Sequence, residues 1–260
     1  MSSVIDVDRL EFVVLAEQAG INRVPLVASF SHYGTAVQDV GREFEQAERR
    51  CRQRGLLDRV GRVSDEAGNL LGLYPHTAVE YDLRFSAERG TELRAAVSRA
   101  GDVAMRTVVV GDRIHLAAVR AADMIPALVS VLPEVAPARM RPVGIDLAAM
   151  RAAMAQADAE DQRAVETALR SHGVDTREYR KITRLLDGPK FGAGEVGVTI
   201  WGRNRKEHRG EQTVQVFDLE AGRVAVYNSS GHRMLAGADI GTFNRLLGEI
   251  TTHTRSNIEQ

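Results

Sequence analysis

Apolar residues recur along this chain in two rhythms, and each marks a different kind of element. Val79, Tyr81, Leu83 and Phe85 alternate with Glu80, Asp82 and Arg84, the period-two pattern of a strand with one buried face. β-rich runs also occur at residues 4–7, 107–110, 114–119, 196–201, 213–219 and 223–227. Three- and four-residue spacing predicts helices between them. Asp8-x-x-Glu11 is a cap-like opening for a helix carrying Phe12, Val13, Leu15, Ala16 and Ala19, which Gly20 ends. A helix over about 35–54 carries Val37, Val40, Phe44, Ala47 and Cys51, and Ser64 opens a short one over Ala67, Leu70 and Leu71, stopped by Pro75. Asp146 opens a helix carrying Leu147, Met150, Met154, Val165 and Leu169, ended by Gly173. Asp175-Thr176-Arg177-Glu178 opens another over Tyr179, Ile182, Leu185 and Leu186, ended by Gly188-Pro189.

One arrangement is used twice: a β-rich run, a turn carrying Gly, an acidic residue and Arg, a second β-rich run, then an amphipathic helix. The first copy turns at Gly111-Asp112-Arg113 and continues into Asp123, Ile125 and Leu128. The second turns at Glu220-Ala221-Gly222-Arg223 and continues into Ile240, Phe243 and Leu247. Each half is too small to bury a good core alone, so their strands are expected to join one sheet with helices against it. Pro133, Pro137 and Pro142 punctuate the middle of the chain as a hinge between halves of about 1–145 and 146–260 within a single domain.

Composition narrows the function more than it names it. Of 260 residues, 44% are hydrophobic, enough for a substantial core. A net charge of −1 gives no push towards nucleic acid or an anionic membrane. The single cysteine, Cys51, rules out an internal disulfide and a multi-Cys metal site, and its place on an apolar stripe makes it a core residue. No run approaches the roughly 18 consecutive apolar residues of a membrane span, and the first residues lack a basic and apolar leader. The chain is expected in the cytoplasm, with no membrane insertion.

Signals of chemistry are weak. Gly192-Ala193-Gly194-Glu195-Val196-Gly197 satisfies G-x-G-x-x-G, but it leads into a strand rather than a helix and reads as a flexible turn. The seven histidines show no metal-ligand spacing, and Ser229-Ser230-Gly231-His232 lacks the surroundings of a nucleophile elbow. No cofactor is expected. Arg49-Arg50-Cys51-Arg52-Gln53-Arg54 closes a helix that begins with glutamates, which suits the helix dipole without a nucleic acid. Arg203-Asn204-Arg205-Lys206-Glu207-His208-Arg209 reads as the tip of a long hairpin, and the polar stretch 86–91 as an exposed loop of the kind that carries binding.

In order and spacing these features resemble the EspG family of type VII (ESX) secretion-associated proteins of actinobacteria over nearly the whole chain. The resemblance runs through Asp8-x-x-Glu11, Gly20 and Pro25, Arg54-Gly55-Leu56, Leu70-Leu71-x-Leu73-x-Pro75 and Gly111-Asp112-Arg113-Ile114-His115-Leu116. It is most specific at Asp218-Leu219-Glu220-Ala221-Gly222-Arg223-Val224, with Val224 where family members often carry an aromatic residue. It implies an α+β fold, a central antiparallel β-sheet flanked by α-helical bundles in two quasi-symmetric halves. It also implies a non-catalytic cytosolic chaperone that binds the PPE subunit of PE–PPE heterodimers and keeps them soluble for export. By position, the partner-binding loop is Ser86, Ala87, Glu88, Arg89, Gly90 and Thr91. The expected surface adds Arg203 at the rim and Val214, Val216, Arg223, Val224 and Val226 on the strands near the last helices.

Two readings from other classes stand beside it. One is an α/β enzyme or small-molecule binder whose site is assembled from His115, Ser230 and His232. The other is an interaction module that homodimerises weakly through a sheet edge.

Overall fold

The computed structural model describes residues 4–30, 39–156, 161–202 and 204–258, with Arg89 described through its backbone alone. The first half runs β1 (Val4–Asp8), α1 (Arg9–Gln18), α2 (Val40–Gln53), α3 (Asp65–Leu71), β2 (Val79–Ala87), β3 (Glu92–Ala100), β4 (Val103–Val110), β5 (Arg113–Arg120) and α4 (Met124–Val129). The second runs β6 (Val143–Asp146), α5 (Leu147–Gln156), α6 (Gln162–Ser171), α7 (Thr176–Asp187), β7 (Lys190–Trp201), β8 (Glu207–Arg209), β9 (Val214–Leu219), β10 (Gly222–Ser229), β11 (His232–Gly237) and α8 (Ile240–Ile258).

All of these strands belong to one antiparallel sheet ordered β1-β5-β4-β3-β2-β7-β9-β10-β11-β6, with β8 on the remaining length of β7. From the central β2–β7 pair, each half reads outward the same way: four strands and then the half's own first strand at the edge. Each edge strand feeds a helix through an aspartate. Asp8 accepts from the Glu11 amide at 2.8 Å while Glu11 accepts from the Asp8 amide at 3.0 Å, and Asp146 accepts from the Ala149 amide at 2.7 Å. This order corrects the repeat expected from sequence. The equivalent of the β4–β5 hairpin is β10–β11, not β9–β10, because a further strand, β11, stands between β10 and the last helix. With only Leu235 and Ala236 well buried, β11 carries no alternating apolar signal.

The sheet's two faces are covered differently. On one, α4 and α8 set Met124, Leu128, Phe243, Leu246 and Ile250 against Val79, Tyr81, Leu83, Val198 and Ala225. On the other, α1–α3 pack Phe12, Leu15, Cys51 and Leu71 against Met105, Val109, Ile114 and Leu116 of the first half. The same face of the second half meets α7, whose Ile182, Leu185 and Leu186 lie on Leu219, Val224, Val226 and Leu235. The arginines closing α2 are taken up internally: Arg50 meets Asp8 at 2.7 Å, and Arg54 meets Glu11 at 2.7 Å. The expected start of α2 at residues 35–38 lies outside the described residues. The single helix expected over 146–173 is two, α5 and α6, the second capped by Asp161, which accepts from the amides of Arg163 and Ala164 at 3.0 and 3.1 Å.

Between α4 and β6 the proline-punctuated segment is strapped to β10. The Arg223 amide donates to Ala136 at 2.8 Å, its carbonyl accepts from Ala138 at 2.9 Å, and its guanidinium donates to the Pro133 carbonyl at 2.7 Å. The same guanidinium grips Asp218 through two bonds of 2.6 and 2.9 Å, and both side chains are buried.

The β2–β7 seam departs from the alternation that β2 shows in sequence. Glu80 and Asp82 are buried, not exposed. Glu80 accepts from Ser98 at 2.6 Å, and Asp82 is gripped by Arg209, whose Nη2 donates at 3.1 Å. Burial pushes the Glu80 carboxyl up to about 7, the Ser98 hydroxyl opposing the shift. The glycine motif on β7 is strand rather than turn, and its glycines make room for neighbours. A Cβ on Gly194 would meet the Arg84 carbonyl at 2.2 Å and the Phe85 ring at 2.8 Å, and one on Gly197 would meet the Arg209 guanidinium.

Two outcomes follow from the seam. Gly194→Val is expected to destabilise the chain by about 1–3 kcal/mol through overpacking, whereas Gly248→Ala, in open space on α8, should stabilise it by about 0.5–1 kcal/mol; urea unfolding distinguishes the signs. Glu80 is expected to bind its proton more tightly folded, near 7, than unfolded, near 4.5, so its stabilising effect is full below 4.5 and lost as pH rises to 7. Chemical unfolding from pH 4.5 to 8 should show that decline, and Glu80→Gln should flatten it and stand about 3 kcal/mol above wild type at pH 8.

Candidate functional site

Between α1–α3 and α7, the described residues of this face leave the middle of the sheet open. Strand register lays two rows of side chains across it: Arg94, Arg84, Glu195 and Gln215, and then Glu92, Ser86, Ala193 and Phe217. Arg84, Ser86, Glu92 and Glu195 are exposed, and the other four are half-buried. A groove of about 610 Å³ opens here, lined by Leu26, Ser29, Phe85, Leu93 and Gly194 together with Arg84, Ser86, Glu92, Arg94 and Ala193. Leu26, from a short turn of 3-10 helix over Leu26–Ala28, stands 64% exposed at its lip. Phe191 at the start of β7 is 43% exposed. A shallow groove of charged and small apolar side chains, with no enclosing wall among the described residues, suits the end of a protein element better than a small molecule.

The loop expected at 86–91 borders this groove, in a tighter form than the sequence suggests. Ser86 and Ala87 still belong to β2, Glu88, Arg89 and Gly90 make one 3-10 turn, and Thr91 returns its carbonyl to the Ala87 amide at 2.9 Å. Gly90 takes φ +75°, which a side chain would strain. Arg84, Glu92 and Arg94 join these residues, although sequence reasoning did not single them out for binding. Their signal is register: on paired strands of opposite direction they share one face.

The strand residues expected at the surface lie elsewhere. Val214 and Val216 are buried beneath α8, Val224 and Val226 beneath α7, and Arg223 is held in its ion pair with Asp218. These side chains serve the chain's own core, and Gln215 and Phe217 supply the open face of β9. Arg203 lies outside the described residues. Its neighbours are turned inward: Arg205 donates to the Pro75 carbonyl at 2.6 Å, and Arg209 reaches Asp82.

The residues of the alternative polar site do not converge. His115 is on β5 and His232 on β11, seven strand spacings apart, or more than about 30 Å at ~4.8 Å per strand. Ser230 and Gly231, at φ +47° and +78°, form the two-residue turn of the β10–β11 hairpin, and His232 Nδ1 lies 3.0 Å from the Ser230 carbonyl. Among the described residues, no group of three or more His, Cys, Asp or Glu could hold a metal ion. Burial pushes the Cys51 thiol up to about 12, which leaves it a poor nucleophile. No helix among the described residues is long and apolar enough to cross a membrane.

In solved structures the chain is similar to the Mycobacterium tuberculosis type VII secretion system chaperone EspG5, in complex with a PE25–PPE41 dimer. The two are 17% identical, with a TM-score of 0.65 and 93% of each chain covered, a likeness of fold. No curated protein sequence matches. A sequence model of the EspG family matches residues 8–249, from the N-cap of α1 into α8. That match spans both halves of the sheet and the groove between the helical groups, and the chain belongs to the EspG family.

Proposed function

We propose that this chain is a cytosolic, non-catalytic chaperone of type VII secretion, which binds the PPE subunit of a PE–PPE heterodimer and keeps the pair soluble until export. The observation that carries the reading is the open sheet centre with its groove, in a chain of this family. The EspG5 structure of the same fold, solved with a PE–PPE dimer, supports it. Residues 1–260 act in this reading as one domain of two halves.

The mechanism needs no nucleotide. An exposed apolar end of a client helix pair tends to self-associate, and covering it removes that surface from water at about 25 cal/mol per Å² before association costs are subtracted. A standard specific interface of about 1,600 Å² would draw on the groove, its rim and the flank of α7 together. The turn from Ser86 to Thr91 would contribute at the rim, where charges select a partner more than they hold it.

Co-expression of the tagged chain with each PE–PPE pair of its own genome, followed by affinity capture and light scattering, tests the reading. The expected outcome is a 1:1:1 complex with one pair. A folded chain that captures none, or a homodimer formed at the expense of client binding, overturns it. Arg89→Glu should shift the preference among pairs by about tenfold without altering thermal stability, and unchanged affinities would remove the turn from the docking surface.

A further inference from the structure

Three arginines gather at one wall of the groove. Arg84 and Arg94 stand directly opposite each other on β2 and β3, on the same sheet face, where like charges repel. Arg94 lies over the Phe30 ring at 5.8 Å, and Arg9, at the start of α1, lies over the same ring at 4.7 Å. Arg9 donates to the Gly111 carbonyl at 2.6 Å, while its buried Nε has no hydrogen-bond partner among the described residues. Burial, and then the charge of Arg9, pull the Arg94 guanidinium below its ordinary value; Glu92 opposes this and Arg84 adds to it.

Several partly buried arginines of the chain are neutralised, while Arg23, Arg106 and Arg233 are buried singly, away from the arginines of this wall. Arg54 meets Glu11, Arg180 meets Glu166, Arg209 meets Asp82 and Arg223 meets Asp218. Arg9, Arg84 and Arg94 form no such bridge among the described residues, and residues 31–38 contain no Asp or Glu. Glu195 stands opposite Arg84 and Glu92 beside Arg94, but neither bridges them among the described residues, so the facing arginines still repel in the free chain and an incoming anion relieves that repulsion. Exposed Leu26 at the lip, with half-buried Ala193 and Phe217 on the same face, asks for apolar groups beside the anion, and exposed Glu92 disfavours a doubly charged one. Both point to a protein side chain.

We propose that this wall is a carboxylate receptor: an Asp or Glu of the docked partner sits between Arg84 and Arg94, and the apolar residues flanking it fill the groove. The inference rests on the chaperone reading, since the partner is the client. Guanidinium groups grip a carboxylate in two-bond geometry, which sets its direction as well as its charge. The receptor therefore fixes how the client's end is turned on the sheet and rejects clients that present a neutral or basic residue at that point.

The test uses the pair that the wild-type chain captures. R84Q/R94Q should raise its Kd about ten- to hundredfold by calorimetry, weaken the salt dependence, and leave Tm unchanged or raised. Arg84→Gln alone, at an exposed position, should move Kd the same way, and R84K/R94K should recover part of the loss. R59Q/R62Q, the same charge change at exposed positions of the α2–α3 connection, should bind as wild type. Replacing the client's acidic residues one at a time should find one whose loss does not add to that of R84Q/R94Q. Affinity within twofold of wild type for R84Q/R94Q overturns the receptor and leaves the chaperone reading in place. Capture of no pair by the wild-type chain overturns both.

Discussion

The pairing of β2 with β7 is the interaction on which the remaining structure depends. Nine residue pairs, from Val79 with Ile200 to Ala87 with Gly192, join two half-sheets that have no other direct strand contact among the described residues. Register along this pair decides which side chains face α4 and α8 and which face the open groove, because a slip of one residue would exchange the faces. Several devices hold it: Phe85 laid over glycines, Arg209 bridging from β8 to Asp82, and Arg23 stacked on Trp201 at 4.1 Å. Each involves a residue from one half and a residue or surface from the other.

The symmetry about this pair explains why one face is open. Each half brings its own helical group, positioned by its edge strand, so the helices sit over the wings and not over the centre. The centre is left to polar residues on strands that must still bury their other face. That constraint produces an open, charged patch at the sheet centre without any loop built for the purpose.

Much of this was legible in the chain. Capping residues located α1, α3 and α7, and alternation located β2 and the hairpins, since those signals are local. The split of α5 from α6 rests on a local cap, Asp161, that sequence reasoning passed over. The miscounted repeat and the unassigned stretch 92–106 have one physical cause. Their elements are made by partners far away: β3 is rich in alanine, weak in strand preference, and is held by β2 and β4 on either side. The site was legible only in part for the same reason. Ser86–Thr91 reads as a polar break in any sequence, whereas the buried state of Asp82 depends on an arginine 127 positions later, and that of Val224 on a helix that crosses it.

The strand order also sets a timetable for the chain's birth. When β2 leaves the ribosome, its partner β7 lies about a hundred residues downstream, roughly 5–20 s of synthesis at ordinary rates. Until then β2 is the raw border of a half-built sheet, with its unpaired edge exposed and the side that will later become the groove uncovered. A protein read here as a guardian of other chains' exposed surfaces thus passes through an interval in which its own central strand is the surface most open to mispairing.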